Sequence, residues 1–478
     1  MSARQFKAVT FLTAAMMGLL AGCANLAPEY EQPATQVAEQ WSDRVPAPPE
    51  ATELLQWRDF FLDTRLQAVI DLALENSPSA RLATLNVQRA RALYRVQGAA
   101  VYPSIAATGS GSVQRIPVSL SPAGAGGSGS GAQDYISRQY SVGVGLTAYE
   151  LDLFGRVANL KSQALEAYLS QEATRRSVEL SLMSEVASAW LQLAADEALL
   201  ALARDTLESQ TQSFKLTERS YEAGVASALA VAQARTIVES ARADVAAFTS
   251  QVQQDRNALQ LLVGVPIPQT LKPTADDMAP VDALAELPAG VSSEVLLNRP
   301  DVVAAEHQLI ASNANIGVAR AARFPSISLT GFAGTASSDL STLFDAGTGT
   351  WSFAPQISIP IFNAGAAKAG VAVAEADQQI ALAQYEQAVQ VAFKEAADAL
   401  ALRQTIDDQL AARQALTDAA ARAQELSDAR YRSGIDSYLN LLDAQRSLYA
   451  AQQQLINTRL SRQSNLVTLY KVMGGSWS

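Results

Sequence analysis

The chain has 478 residues, 49% of them hydrophobic, with a formal net charge of −11, one His and one Cys. A single His excludes multi-histidine metal centres, and a single Cys leaves no internal disulfide. So acidic a chain is also a poor candidate for nucleic-acid binding, which needs basic patches.

Positions 1–22 read as a secretory leader: Arg4 and Lys7, then an apolar run, then small residues. They end in Leu20-Ala21-Gly22-Cys23, a lipobox, in which the Cys23 thiol takes a diacylglycerol and becomes the new N-terminus. An unlipidated leader with an incidental Cys is the alternative. Removal of Arg4 and Lys7 takes the net charge to −13, and Ala24 at the next position favours outer-membrane sorting. Past the leader no run approaches the ~18 apolar residues of a membrane helix, so any crossing must use strands.

A helical stretch runs from Ser79 to Tyr102. Between Tyr102 and Gly155 the period changes to alternation, with Val142, Val144, Leu146 and Ala148 interleaved with Gly143, Gly145 and Thr147. The Gly124–Gly129 stretch satisfies GxGxxG but sits inside this hairpin instead of opening a helix, so it is not read as a nucleotide loop. The run from Arg156 to Ala223 contains neither Gly nor Pro and is rich in Ala, Leu, Glu, Gln and Arg. As a helix it would be about 100 Å long, several times the width of a compact domain. Gly224 interrupts it, and a second breaker-free run follows, from Val225 to Val263.

The same order then recurs. Asn298-Arg299-Pro300 matches Asn76-Ser77-Pro78, and Phe324-Pro325-Ser326-Ile327 matches Tyr102-Pro103-Ser104-Ile105, both at an offset of 222. Gly365, Gly434 and Gly474 match Gly155, Gly224 and Gly264 at 210. The offset shrinks where the first copy carries SPAGAGGSGSGAQD, a loop composition that tolerates insertion. The second copy supplies a helix over Asp301–Phe324, a hairpin with Trp351, Phe353, Pro355, Ile357, Ile359 and Ile361 alternating, and breaker-free runs from Val371 to Ser433 and from Ile435 to Met473. Alternating runs of about ten residues flanked by aromatics suit transmembrane β-strands. Four strands cannot close a barrel, and open edges are not tolerated in lipid, so the chain must borrow strands from copies of itself.

LAPEYEQP after the lipobox, YELDLFGR (149–156), YEAGVASAL (221–229), LNRPDVVAAEHQL (297–309), ARFPSISLTG (322–331), IPIFNAG (359–365) and YRSGIDSYLNLLDAQR (431–446) together resemble the TolC family. The similarity is to its lipoprotein branch, the outer-membrane factors of tripartite multidrug efflux pumps, and covers essentially the whole mature chain. The resemblance implies a mainly α, mixed α+β fold. It is a homotrimeric α-barrel of long coiled helices, continued by a transmembrane β-barrel with four strands per chain and girdled by an equatorial collar. The corresponding division is a leader at 1–22, a lipidated collar segment at 23–63, a first repeat at 64–264, a collar linker at 265–292, a second repeat at 293–474 and a tail at 475–478.

The partners implied are a periplasmic adaptor, an inner-membrane pump of the RND type and the outer-membrane lipid. No cofactor is implied beyond the diacylglycerol and N-acyl lipid on Cys23. Gly224 and Gly434 would reverse the chain at the periplasmic tips, since Gly tolerates the left-handed backbone that ends a helix. Similarity assigns Asp436, Asp443 and Tyr431 to the channel constriction, where threefold symmetry would make rings of carboxylates that attract cations. Read as one helix, Asp436 and Asp443 fall within ~20° of each other.

Simpler roles stand beside these: a first-turn acid for Asp436 and a pair with Arg446 for Asp443. Gly224-Val225-Ala226-Ser227 and Gly434-Ile435 are the expected adaptor-docking turns, or ordinary reversals. The family commonly carries Asp where this chain has Ala230, which leaves the tightness of the closed tip open. The outer component of a protein secretion system and a non-conducting coiled-coil lipoprotein are the rival readings. An enzyme is not expected, because no nucleophile, base and orienting group converge.

Overall fold

A computed structural model of the chain describes residues 24–33, 55–117, 135–278, 284–285 and 293–475. Cys23, the leader and the Gly/Ser insertion lie outside the described residues. The chain divides into two compact units. One gathers Met1–Gln32, Arg89–Leu169 and His307–Ala383, and the other Pro33–Gln88, Ser170–Glu306 and Gln384–Ser478.

In chain order the elements are α1 (Thr64–Asn76), α2 (Pro78–Ala99), β1 (Ile105–Ile116), β2 (Tyr135–Leu151), α3 (Arg156–Glu222) and α4 (Ala228–Val263). There follow α5 (Pro300–Ala321), β3 (Ser326–Ser337), β4 (Gly349–Ser358), α6 (Ala366–Arg432) and α7 (Tyr438–Val472). Pro78 and Pro300 open α2 and α5 as N1 residues, where a missing N–H costs nothing. Helix α6 starts before the predicted Val371 and runs through Gly370. One Gly costs a helix only about 1 kcal/mol, which a helix of otherwise good formers over Ala366–Arg432 absorbs. Helices α4 and α7 start later than predicted, because the residues after each Gly belong to a turn.

The four strands form one antiparallel sheet in the order β1-β2-β3-β4. Register decides what its faces carry, because directly paired residues share a face. Val144 pairs with Ala107 and Ala333, and Ala333 with Trp351. Leu146 pairs with Ile105 and Gly331, and Gly331 with Phe353, while Ile327 pairs with Ile357. That face is mostly apolar. The opposite face carries Ser110 and Ser141, joined Oγ to Oγ at 2.8 Å, with Thr330, Ser328, Ser352 and Gln356. Phe332 is a large apolar exception on it, and Ile116 and Tyr135 pair on it at one end.

The predicted alternation of β2 does not run through Ala148. A bulge lies between Leu146 and Tyr149, and Ala148 takes φ 45°. The extra residue switches parity, so Tyr149 and Leu151 join the apolar face opposite Leu329 and Ile327. Strand β4 ends at Ser358, so Ile359 and Ile361 continue beyond the sheet.

In the second unit the core gathers around the middle of α3. Met183, Val186, Ala187, Trp190 and Leu191 are buried against α1, α4 and α7. Trp190 Nε1 donates to the Leu271 carbonyl at 3.2 Å. Phe60 stacks on Tyr470 at 4.4 Å, and Phe61 bridges to Leu284. Phe60, Phe61, Leu271 and Leu284, from the predicted collar segments before α1 and after α4, are thus tied to this core. Contrary to the sequence reading, α3 holds an 18-residue window with mean hydropathy 1.3, of which 61% is buried. Burial accounts for it: the window draws on the Ala and Leu residues that pack this core.

A carboxyl pair is set into the α3–α4 contact. Asp196 is buried and accepts from Gln192 at 2.7 Å, while Asp255 accepts from Gln251 at 3.0 Å. Burial, and then the Asp196 carboxyl, push Asp255 up to about 7. The neighbouring Arg256 is turned to Glu197, Nη2 to Oε1 at 2.5 Å, and makes no hydrogen bond to the pair. A native pKa raised above the unfolded value means stability present at acid pH and lost as pH rises through the native pKa. The melting temperature should therefore be lower at pH 8 than at pH 5. Asp255→Asn should flatten that dependence and melt roughly 2–4 °C higher than wild type at pH 8. Thermal melts at the two pH values check it.

Candidate functional site

Two features are candidates for function: the sheet face described above and two helix reversals in the second unit. Both reversals have the same construction. After α3, Gly224 takes φ 75°, and after α6, Gly434 takes φ 71°. The Gly224 N–H donates to the Tyr221 carbonyl at 2.9 Å and the Val225 N–H to Ser220 at 2.8 Å. The Gly434 N–H donates to Tyr431 at 2.9 Å and the Ile435 N–H to Arg430 at 3.0 Å. These are the paired bonds of a Schellman cap, which requires the left-handed residue that Gly supplies. Ser227 then caps α4 by accepting from the Ala230 N–H at 3.2 Å. Ser437 occupies the matching place before α7 without a side-chain cap bond.

Below the turns the helices share a small core of Ala234, Ile237, Tyr438, Leu441 and Leu442, flanked by Phe214, Ala230 and Tyr431. Tyr431 meets Tyr438 at 5.5 Å. Ala230 is thus a half-buried packing residue against this core. Above the core, apolar side chains are left in the open. Val225 is 84% exposed and Ile435 64%, with Leu229 and Leu439 beside them in sequence also exposed. A Schellman cap usually buries its residue after the Gly against the last turn of the helix. Here that last turn offers Ser220 and Arg430, so Val225 and Ile435 have nothing apolar to cover them.

The two candidate acids differ. Asp436 is not in a helix, because α7 begins at Tyr438, so neither the first-turn role nor a helix face shared with Asp443 applies. Its carboxylate is gripped in two-point fashion by Arg430, Nε to Oδ2 at 2.5 Å and Nη2 to Oδ1 at 3.0 Å. That guanidinium holds the Asp436 carboxyl below its ordinary range. The sequence reading missed Arg430, although the six-residue step over a Gly turn is the spacing such a clamp needs. The matching positions of the first reversal, Ser220 and Ala226, form no such pair. Asp443 is exposed on α7, and the expected pair with Arg446 is not formed. Of the two candidate acids it is the one without an ion pair.

The outer membrane efflux protein family model matches residues 69–265 and 291–475. The toluene efflux pump outer membrane protein TtgC of Pseudomonas putida is 47% identical over 475 residues, 98% of this chain and 96% of that protein. The cation efflux system protein CusC of Escherichia coli O157:H7 is 42% identical over 464 residues, 96% of each chain. Among solved structures, the open state of the Neisseria gonorrhoeae MtrE outer membrane channel aligns with a TM-score of 0.83 at 40% identity, over 95% of this chain and 98% of that one. A membrane protein from Pseudomonas aeruginosa gives 0.87 at 40% identity, with the same coverage. With a sheet sorted into an apolar and a polar face, two capped helix reversals and these similarities along nearly its whole length, the chain belongs to the outer membrane efflux protein family and is an outer-membrane protein that serves efflux.

Proposed function

We propose that the chain is the channel subunit of a tripartite efflux pump and works as a homotrimer. Three four-stranded sheets join edge to edge, β4 of one copy beside β1 of the next, into a twelve-stranded barrel with its apolar face to lipid and its Ser/Thr/Gln face to the lumen. The observation that carries this reading is the register, which sorts side chains by polarity across all four strands and leaves both outer strands unpaired in the single chain. An unpaired edge is costly in a bilayer, and closure removes it. The long helices of the two repeats form the periplasmic conduit, residues 23–63 and 265–292 its collar, and the acyl chains on Cys23 its anchor. The exposed apolar turns at Gly224–Ser227 and Gly434–Ile435 suit an adaptor that links the channel to an inner-membrane pump of the RND type. Asp436, Asp443 and Tyr431 form the constriction, with the free charge supplied by Asp443.

Small toxic organic compounds are the proposed cargo, in line with relatives named for toluene and solvent efflux. Soft metal ions fit less well: Met183, Met278 and Met473, the methionines past the leader, are all buried. Purified protein in a planar bilayer should give discrete, small, cation-preferring currents. Absence of any current from correctly folded protein would overturn the channel and restore the structural-lipoprotein reading.

A further inference from the structure

Residues 24–28 lie in a cleft within the sheet-bearing unit, between the start of α3 and one face of α5. The Ala24 N–H donates to the Leu153 carbonyl at 3.1 Å. Asn25 Oδ1 accepts from the Ala27 N–H at 3.0 Å, closing an Asx turn, and from Asn159 Nδ2 at 2.8 Å. The Pro28 carbonyl accepts from Asn313 Nδ2 at 2.8 Å, and Leu26 from Arg320 at 3.5 Å. Asn159 and Asn313 are only 3% and 9% exposed. Buried amides that lose their partners are costly, so these two are committed to the segment they hold.

Two glycines make the room. A Cβ on Gly317 would stand 2.3 Å from Asn159 Nδ2 and 2.8 Å from the Ala27 nitrogen, and one on Gly155 would stand 3.2 Å from Asn25 Cα. Asn313, Gly317 and Arg320 recur at helical spacing, so they share one face of α5. The matching positions of the other half, at offsets of 222 and 210, hold Arg91, Arg95 and Ala369. Two long cations and a methyl cannot form this cleft. The halves share their order of elements, yet only one of them is shaped to receive the segment.

We propose that this cleft is a docking site for the chain's own residues 24–28, so that the lipid anchor is clamped instead of tethered. The proposal rests on the lipidation of Cys23 argued above. The acylated residue is joined directly to Ala24, whose N–H is bound to Leu153, just past the end of β2. The acyl chains therefore enter the bilayer beside the foot of the barrel strand that carries Tyr149 and Leu151 on its apolar face. Asn159, Asn313 and Gly317 act as positioning residues, setting where the anchor leaves the protein.

Hydrogen–deuterium exchange on full-length protein extracted from membranes tests the clamp, read at the Ala27 amide with the mass of the N-terminal peptide determined in parallel. In wild type that amide should exchange at least ~100-fold more slowly than in a free peptide. Asn159→Ala should speed it by roughly tenfold, and Gly317→Val should abolish the protection. Asn313→Ala, which removes one bond and adds no bulk, should give an intermediate loss while the trimer stays intact. A lipidated wild-type protein whose Ala27 amide exchanges at the free rate would overturn the clamp alone, as would cleft variants with unchanged protection. An N-terminal peptide of unmodified mass with Ala27 still protected would overturn the lipidation reading, and the anchor clamp with it.

Discussion

Replacing Gly334 with valine is expected to prevent assembly of the channel. Gly334 of β3 pairs with Gly143 of β2, and the backbones approach so closely that a Cβ on Gly334 would stand 2.2 Å from the Val142 carbonyl oxygen and 2.5 Å from Gly143 Cα. These are main-chain atoms, so no side chain can turn aside. A Cβ on Gly143 meets the same obstacle from the other side, 2.5 Å from the Ala333 carbonyl and 2.7 Å from the Phe332 ring. Glycine inside a strand marks such an approach. Separating β2 from β3 would part the two hairpins of the sheet and shift the register that sorts the faces. The cost should exceed the ~1–3 kcal/mol of ordinary overpacking. Gly334→Val should leave no heat-resistant trimer on an unboiled gel and no conductance. Gly109→Ala, whose new methyl would meet the nearest atom at 3.6 Å, should assemble as wild type. Normal trimers of Gly334→Val would show that β2 and β3 are not paired as described.

Removing either candidate acid and removing the Arg430 that neutralises one of them should act in opposite directions on cation preference. Asp443 carries an unpaired charge, so Asp443→Ala should lower cation preference and raise conductance. Asp436 is neutralised by Arg430, so Arg430→Ala should free it and raise cation preference, whereas Asp436→Ala should leave Arg430 exposed and lower it. A ring of three like charges in a narrow mouth should move permeability ratios by roughly severalfold, less at high salt. Single-channel reversal potentials across a salt gradient read the sign directly. In Asp436→Ala/Asp443→Ala the resting current should grow. Large wild-type currents unchanged in the double variant would place the constriction elsewhere. Ala230, packed in the tip core, is one reason a resting tip would be held less firmly than where that position bears a charge.

What the sequence by itself determined is what depends on neighbours along the chain. Runs as long and as poor in breakers as Arg156–Glu222 and Ala366–Arg432 must be helix. A Gly between two such runs must reverse them, because only it takes the left-handed φ of Gly224 and Gly434 at no steric cost. Alternation from Trp351 to Ile357 in β4 follows from the pleat alone, and so does the polarity of its faces. The tertiary structure decided what depends on residues brought from far away. Ala148 breaks the alternation of β2 because β3, beyond residues 152–325, pairs on both sides of the bulge, and nothing beside Ala148 in sequence requires a positive φ there. Asp436 reads as a helical acid until the cap shows that Ile435, Asp436 and Ser437 precede the helix, which brings the carboxylate back onto Arg430. Asn159 and Gly317 look like unremarkable helix residues, and their meaning appears only where α3 and α5 close on residues 24–28. Backbone propensity and side-chain period act over a few residues and survive in a one-dimensional record. Steric room and buried hydrogen-bond partners are set by contacts between distant segments, and they exist only once the chain has folded.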